Sequence, residues 1–183
     1  MTGWQIVMWA ALAVLPFWAL GAYNRVVALR GALAAAWTEF GEVVRRREPL
    51  LTALMQRLRE PLADQHTALD TVVGVLAQLR SSLTGARPTV RGSTDVIAAY
   101  ELDLHEAWLH VRQLIEQHPR APEQPPLAVQ LDASLGELQL ETERMVAARH
   151  RFNDAAARYN GAIAQFPTSL LAPLFGFEPA GQL

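Results

Sequence analysis

Cysteine is missing from all 183 residues, and so is lysine: the sixteen basic side chains are all arginine. Without a thiol there is no disulfide, no thiolate nucleophile and no cysteine-ligated zinc or iron-sulfur site. A clear excess of one charge is missing too, because eighteen acidic residues leave a formal net charge of -2. A protein that neutralises many phosphates carries a basic surplus, so the composition argues against nucleic acid as a partner. The phosphate-cradling loops G-x-x-x-x-G-K-[ST] and G-x-G-x-x-G occur nowhere, nor do the nucleophile elbow G-x-S-x-G and the metal-binding spacings His-Glu-x-x-His and Glu-x-x-His. Glu101 with His105, and Glu106 with His110, stand four apart, the ordinary spacing of surface pairs on a helix. The sequence therefore nominates no catalytic, cofactor-binding or metal-ligating residue, and it reads as a non-enzyme.

What is present begins with residues 3–24, GWQIVMWAALAVLPFWALGAYN, which hold no Asp, Glu, Lys, Arg or His. About 20 apolar residues suffice to cross the hydrocarbon layer, so residues 4–22 are expected to form a transmembrane helix within an anchor spanning residues 1–22. Trp4, Trp18 and Tyr23 lie towards its ends, where amphipathic rings favour the headgroup level. A cleaved signal peptide normally begins with Lys or Arg, and this stretch has neither. Arg25 and Arg30 follow the run closely, with Arg45, Arg46 and Arg47 further on. The positive-inside preference then places the N-terminus outside and the following domain in the cytoplasm.

Beyond the anchor, Val26, Leu29, Leu33, Ala36, Phe40 and Val43, then Leu50 or Leu51, Leu54 and Leu58, recur at helical spacing to about residue 59. A kink is expected at Pro49. A second helix is expected from about Leu62 to Leu83, with Leu69, Val72, Leu76, Leu79 and Leu83 inward. A third, capped by Ser93, Thr94 or Asp95, points Ile97, Tyr100, Leu104, Trp108, Val111 and Ile115 inward. Four prolines within residues 118–126 separate it from a last helix over about Leu127 to Gln165. The seam of that helix steps through Leu131, Leu135, Leu138, Thr142, Met145, Arg149, Phe152, Ala156, Tyr159 and Ile163. The expected fold is all-α: an N-terminal transmembrane helix continues into an antiparallel up-down four-helix bundle over residues 23–166, followed by an apolar tail, residues 167–183. The first and last helices are the long ones. They extend beyond the middle pair near the bilayer, and three reversals bring the chain back to the end where it started.

Aromatic-Asn pairs mark both ends of this path: Tyr23-Asn24, Phe152-Asn153 and Tyr159-Asn160. Tyr23 and Tyr159 are expected at one height, with Asn24, Asn153 and Asn160 bonding neighbouring helices at the core edge. Arg149 takes a seam position, where a guanidinium needs a partner; Glu39 and Glu42 lie near its height. The Arg45–Arg47 run reads as a solvated face. Leu170, Leu171, Leu174, Phe175 and Phe177 of the tail are too apolar to stay in water, and either fold back on the bundle or rest at the bilayer interface or on a partner.

The anchor followed by YNRVVALRGALAAAWTEFGEVVRRRE, with Tyr23-Asn24, Leu29, Ala36-Trp37 and Arg46-Arg47, resembles the LemA family of bacterial proteins. So does RMVAARHRFNDAAARYNGAIAQFPTSLLAPLFGF, with Arg149, Asn153-Asp154, Tyr159-Asn160, Phe166-Pro167, Ala172 and Leu174-Phe175-Gly176-Phe177. IEQHP, residues 115–119, is a weaker match, and Phe152 stands where the family usually has Tyr. The resemblance implies a single-span protein of the bacterial inner membrane with a helical bundle and no established biochemical activity, and it supplies no catalytic residues. The reading is a non-enzymatic scaffold or adaptor whose partners are the membrane, another protein or a second copy of the chain. The alternative is a sensor or ligand- or peptide-binding module with a polar site around Arg149.

Overall fold

The computed structural model describes residues 3–90, 92–117 and 125–183, without the side chains of 6, 7, 10–12 and 125–130. The proline-rich stretch 118–124, including His118-Pro119, lies outside the described residues. Five α-helices follow in order: α1 Gly3–Leu58, α2 His66–Gly85, α3 Ser93–Gln117, α4 Pro125–Ala164 and the single turn α5 Thr168–Leu171, with a 3-10 turn Ala63–Gln65 leading into α2. No strand is present among the described residues. α1 is one helix of 56 residues that continues through Pro16 and Pro49, and α4 has 40 residues against 20 in α2 and 25 in α3. At 1.5 Å per residue α1 reaches about 84 Å and α4 about 60 Å, roughly twice the middle pair.

α1 is the spine. From Val26 onward it packs against α4, and it also packs against α2, while α2 packs against α3. Arg57 Nη1 donates to Ser134 Oγ at 2.9 Å and Arg151 reaches Glu39 at 2.7 Å, which fixes α1 and α4 antiparallel. Arg80 to Glu48 at 2.9 Å, and the Arg59–Asp70 pair, tie α2 to α1. The buried face of α1 follows a seven-residue repeat through Val26, Leu33, Phe40, Arg47 and Leu54, the interval that keeps one stripe of a helix facing its partners.

Two cores form along this spine. One joins Phe40, Leu51, Leu54 and Met55 of α1 to Leu69, Val72, Leu76 and Leu79 of α2, to Ile97, Leu104, Val111 and Ile115 of α3, and to Leu138, Met145 and Ala148 of α4. The other lies past the ends of α2 and α3. There Val26 and Leu33 meet Phe152, Ala156, Tyr159, Ala162 and Ile163 of α4, and Ala172, Phe177 and Ala180 of the tail close them over. Trp37 and Leu183 are partly buried against both. The expected seam of α4 holds at Leu138, Met145, Phe152, Ala156, Tyr159 and Ile163, but its Arg149 step does not: Ala148 is buried, and Arg149 sits half-buried beside it. The helix turns Ala148 inward because the contact faces drift as 3.6 residues per turn runs against a seven-residue pattern.

Among the described residues no helix is long and apolar enough to cross a membrane. The expected transmembrane helix over residues 4–22 falls partly on Ile6, Val7, Ala10, Ala11 and Leu12, which lie outside the described side chains.

Candidate functional site

After α4 the chain turns through Phe166-Pro167 and α5, then reverses at Gly176. The φ of +65° at Gly176 suits a residue without a Cβ. The N–H of Phe177 closes this turn on the carbonyl of Ala172 at 2.9 Å. Residues 177–183 then run back, without helical structure, antiparallel to α4.

A non-helical segment laid over a core cannot satisfy its own backbone, so its amides need outside partners. The asparagines of α4 supply them. Asn160 Nδ2 donates to the carbonyl of Ala180 at 2.8 Å while its Oδ1 accepts from the N–H of Ala180 at 2.8 Å. Asn153 does the same to Leu183, donating at 2.8 Å and accepting at 2.9 Å. Seven helical residues advance about 10.5 Å, and three extended residues about 10 Å. The spacing of Asn153 and Asn160 therefore matches that of Leu183 and Ala180. Beyond Ala180 towards Gly176, the hydroxyl of Tyr159, whose ring is fully buried, donates to the carbonyl of Glu178 at 3.0 Å. Burial holds the phenol above its ordinary pKa, with Glu178 adding to the rise and Arg30 opposing it, so at neutral pH the group keeps the proton it donates. The N–H of Gly181 donates to the carbonyl of Pro88 at 3.0 Å, and a Cβ there would fall 1.9 Å from Thr94 Oγ1. Only glycine lets the strap pass the start of α3.

The expectation that the asparagines bond neighbouring helices is thus corrected: Asn153 and Asn160 hold the tail, and Asn24 is exposed. Val26 takes the buried position next to Tyr23, which is 36% exposed. Its ring meets Phe175 and Phe177 with centroids 5.0 and 5.8 Å apart. Tyr23 and Tyr159 are therefore served by one tail, as expected of two motifs at one end of the bundle. The tail divides its apolar residues. Phe177 is buried, while Phe166, Leu170, Leu174 and Phe175 are exposed, Leu174 at 80%. Phe166 lies 5.5 Å from the ring of Trp18, so this exposed tip adjoins the exposed apolar residues at the start of α1.

A second polar group lies in the four-helix part. Glu39 is taken by Arg151 and Glu42 by Arg45, so neither is the partner of Arg149. The charge of Arg149 acts on Glu101 of α3. Burial pushes the Glu101 carboxyl above the usual carboxylate range, and Arg149 and then Arg47 draw it part of the way back. The Arg45–Arg47 run is not one solvated face, because Arg45 and Arg46 are exposed while Arg47 is buried. Burial lowers the Arg47 pKa, with Glu101 opposing. Glu141, also buried, gives one oxygen to Arg144 and leaves Oε2 without a hydrogen-bond partner among the described residues. Arg47 and Glu141 escape a reading by hydrophobic spacing, although Arg47, seven residues from Phe40 and from Leu54, carries a signal in its position.

Trp37, packed on Phe40 and Phe152 with centroids 6.0 and 5.2 Å apart, joins the two cores. The model of the LemA family matches residues 36–183. No curated protein matches the chain.

Proposed function

Because the chain belongs to the LemA family, we propose that it is a membrane-anchored, non-enzymatic scaffold of the inner membrane, whose bundle faces the cytoplasm and presents surfaces to another protein or to a second copy. The observation that carries the reading is the start of α1. Trp4, Met8, Trp9, Val14, Leu15, Phe17, Trp18 and Leu20 are all exposed, and at 100° per residue they are spread around the whole helix. A helix apolar all round belongs in a core or a bilayer, and no core surrounds this one among the described residues. The tip with Phe166, Leu170, Leu174 and Phe175 rests beside Trp18 and Tyr23, at the level where a span over residues 4–22 would leave the bilayer. Aromatic and aliphatic side chains at that depth favour the interface.

The chain has no cysteine of its own, so a single Ser81→Cys on exposed α2 surface reports topology. A membrane-impermeant maleimide is expected to label it only after lysis, and the chain to stay with the membrane through an alkaline carbonate wash. Labelling in intact spheroplasts would overturn the cytoplasmic placement, and release by carbonate the anchor. Crosslinking in intact membranes is expected to give discrete adducts with one protein or with a second copy; a chain recovered only as monomer would count against the scaffold.

A further inference from the structure

α3 and α4 share a core but do not approach closely: their Cα atoms come nowhere within 8 Å among the described residues. The open seam leaves a cavity of about 960 Å³. Trp108, Leu109 and Ile115 line it from α3, Leu135 and Leu138 from α4, and from α1 a single residue reaches it, Arg47. That arginine is 7% exposed, its Nε has no hydrogen-bond partner, and it takes part in none of the ion pairs of the described residues. It stands in the seven-residue repeat of α1, where Val26, Leu33, Phe40 and Leu54 fill the equivalent places. A buried guanidinium with a nitrogen left unbonded is less stable in such a place than an aliphatic side chain would be. An acceptor arriving through the open seam would relieve that cost. Around the cavity mouth Arg112 and Glu116 neutralise each other at 3.1 Å, and Glu143 is exposed to solvent. The charge at depth is positive, with Glu101 as a countercharge it shares with Arg149, and the walls are mainly apolar, with His105, Gln139 and Thr142 among their polar members.

We propose that the cavity between α3 and α4 binds an amphipathic organic anion, its carboxylate or phosphate on Arg47 and its apolar body between Trp108 and the α4 leucines. The volume lies within the range of small-molecule sites. Two sources share this chemistry, an acyl chain released from lipid and a compact aromatic acid, and the site does not depend on the scaffold reading.

The test is equilibrium dialysis of decanoate and of 2-naphthoate against the full chain in phospholipid nanodiscs, with uptake by empty discs subtracted. One saturable site is expected for at least one probe: decanoate alone indicates the lipid-derived source, 2-naphthoate alone the aromatic one. The corresponding neutral amide should bind about ten- to a hundredfold more weakly, the usual worth of a hydrogen bond to a charged group. Arg47→Met should lose binding by a similar factor while its Tm holds or rises, because it removes a buried guanidinium whose Nε is unbonded and leaves Glu101 the charge of Arg149; Arg46→Met, on exposed surface, should bind as the unmodified chain does. Leu135→Trp, which fills the cavity without touching a charge, should block binding and serves as the second variant if Arg47→Met fails to fold. Uptake no greater than that of empty discs, an amide that binds as well as its acid, or undiminished binding in Arg47→Met or in Leu135→Trp would overturn the proposal.

Discussion

At the α2/α3 end of the spine, α1 and α4 are covered by two helices; at the other end they are covered by seven residues without helical structure. Both covers bury apolar side chains, but they differ in what they ask of the surface beneath. A helix arrives with its backbone bonds made, so it needs only an apolar stripe, and α2 offers Leu69, Val72, Leu76 and Leu79. The strap arrives with its amides unmet, and α4 must carry Asn153, Tyr159 and Asn160 to receive them. Burial by chain without secondary structure thus writes polar residues into the face of a helix, next to Phe152 and Ala156, which are wholly buried.

The largest way to break this comparison is Tyr159→Ala. It removes a fully buried ring and also the donor to Glu178. A cost of about 4 kcal/mol is expected, within the span of large-to-small core changes. Leu104→Ala, equally buried in the other core, should cost about 3 kcal/mol. The two should differ in where the damage goes. Hydrogen exchange at the amides of Ala180 and Leu183 should quicken in Tyr159→Ala and stay unchanged in Leu104→Ala. Equal protection of those amides in both variants would mean that the strap does not depend on the ring beneath it.

Asn160→Ala sharpens the point at smaller cost. It deletes two hydrogen bonds to Ala180, worth about 1 kcal/mol each, so about 2 kcal/mol in thermal or denaturant unfolding. In a chain lacking residues 177–183 the same substitution should cost almost nothing, because the partner is already gone. Full cost in the shortened chain, read from that double-mutant cycle, would assign Asn160 some role other than holding the strap.

Much of the helical frame was legible in the spacing of leucines, valines and phenylalanines, because helix-on-helix packing needs only a stripe that repeats. Leu69, Val72, Leu76 and Leu79, and Ile97, Leu104, Val111 and Ile115, are buried where their periodicity placed them. The strap was not legible, because its partners are backbone groups with no side-chain pattern. Only the seven-residue interval between the asparagines, and Gly181 in a tail otherwise suited to packing, hinted at it. Arg149 was misplaced because alanine carries a weak apolar signal: Ala148 is the buried neighbour, and a three-four count started at Met145 passes over it as readily as it includes it. Arg47 was missed for the opposite reason. Its charge outweighed its position in the repeat, and only three dimensions show a buried guanidinium facing an open seam.

The smallest effect separates the two ends by charge. At the strap end the α4 side chains that grip the tail are two neutral amides and a protonated phenol. At the α3 end Glu101 is held above the usual carboxylate range by burial, despite Arg149 and Arg47. A carboxyl whose folded pKa is raised binds its proton more tightly in the folded chain. Its contribution is therefore fully present below the unfolded pKa, near the ordinary carboxyl value of 4.5, and is lost as pH rises through the folded pKa. Glu101→Gln cannot ionise and escapes that loss. The Tm of Glu101→Gln minus that of the unmodified chain should accordingly grow from about pH 4 towards neutrality and then level off. Exchange at Ala180 and Leu183, once corrected for its intrinsic pH dependence, should be the same in both chains throughout. A difference in Tm that is flat with pH, or that shrinks as pH rises, would show that Arg149 and Arg47 outweigh burial at Glu101, and the α3 end would then be a satisfied ion cluster rather than a strained one.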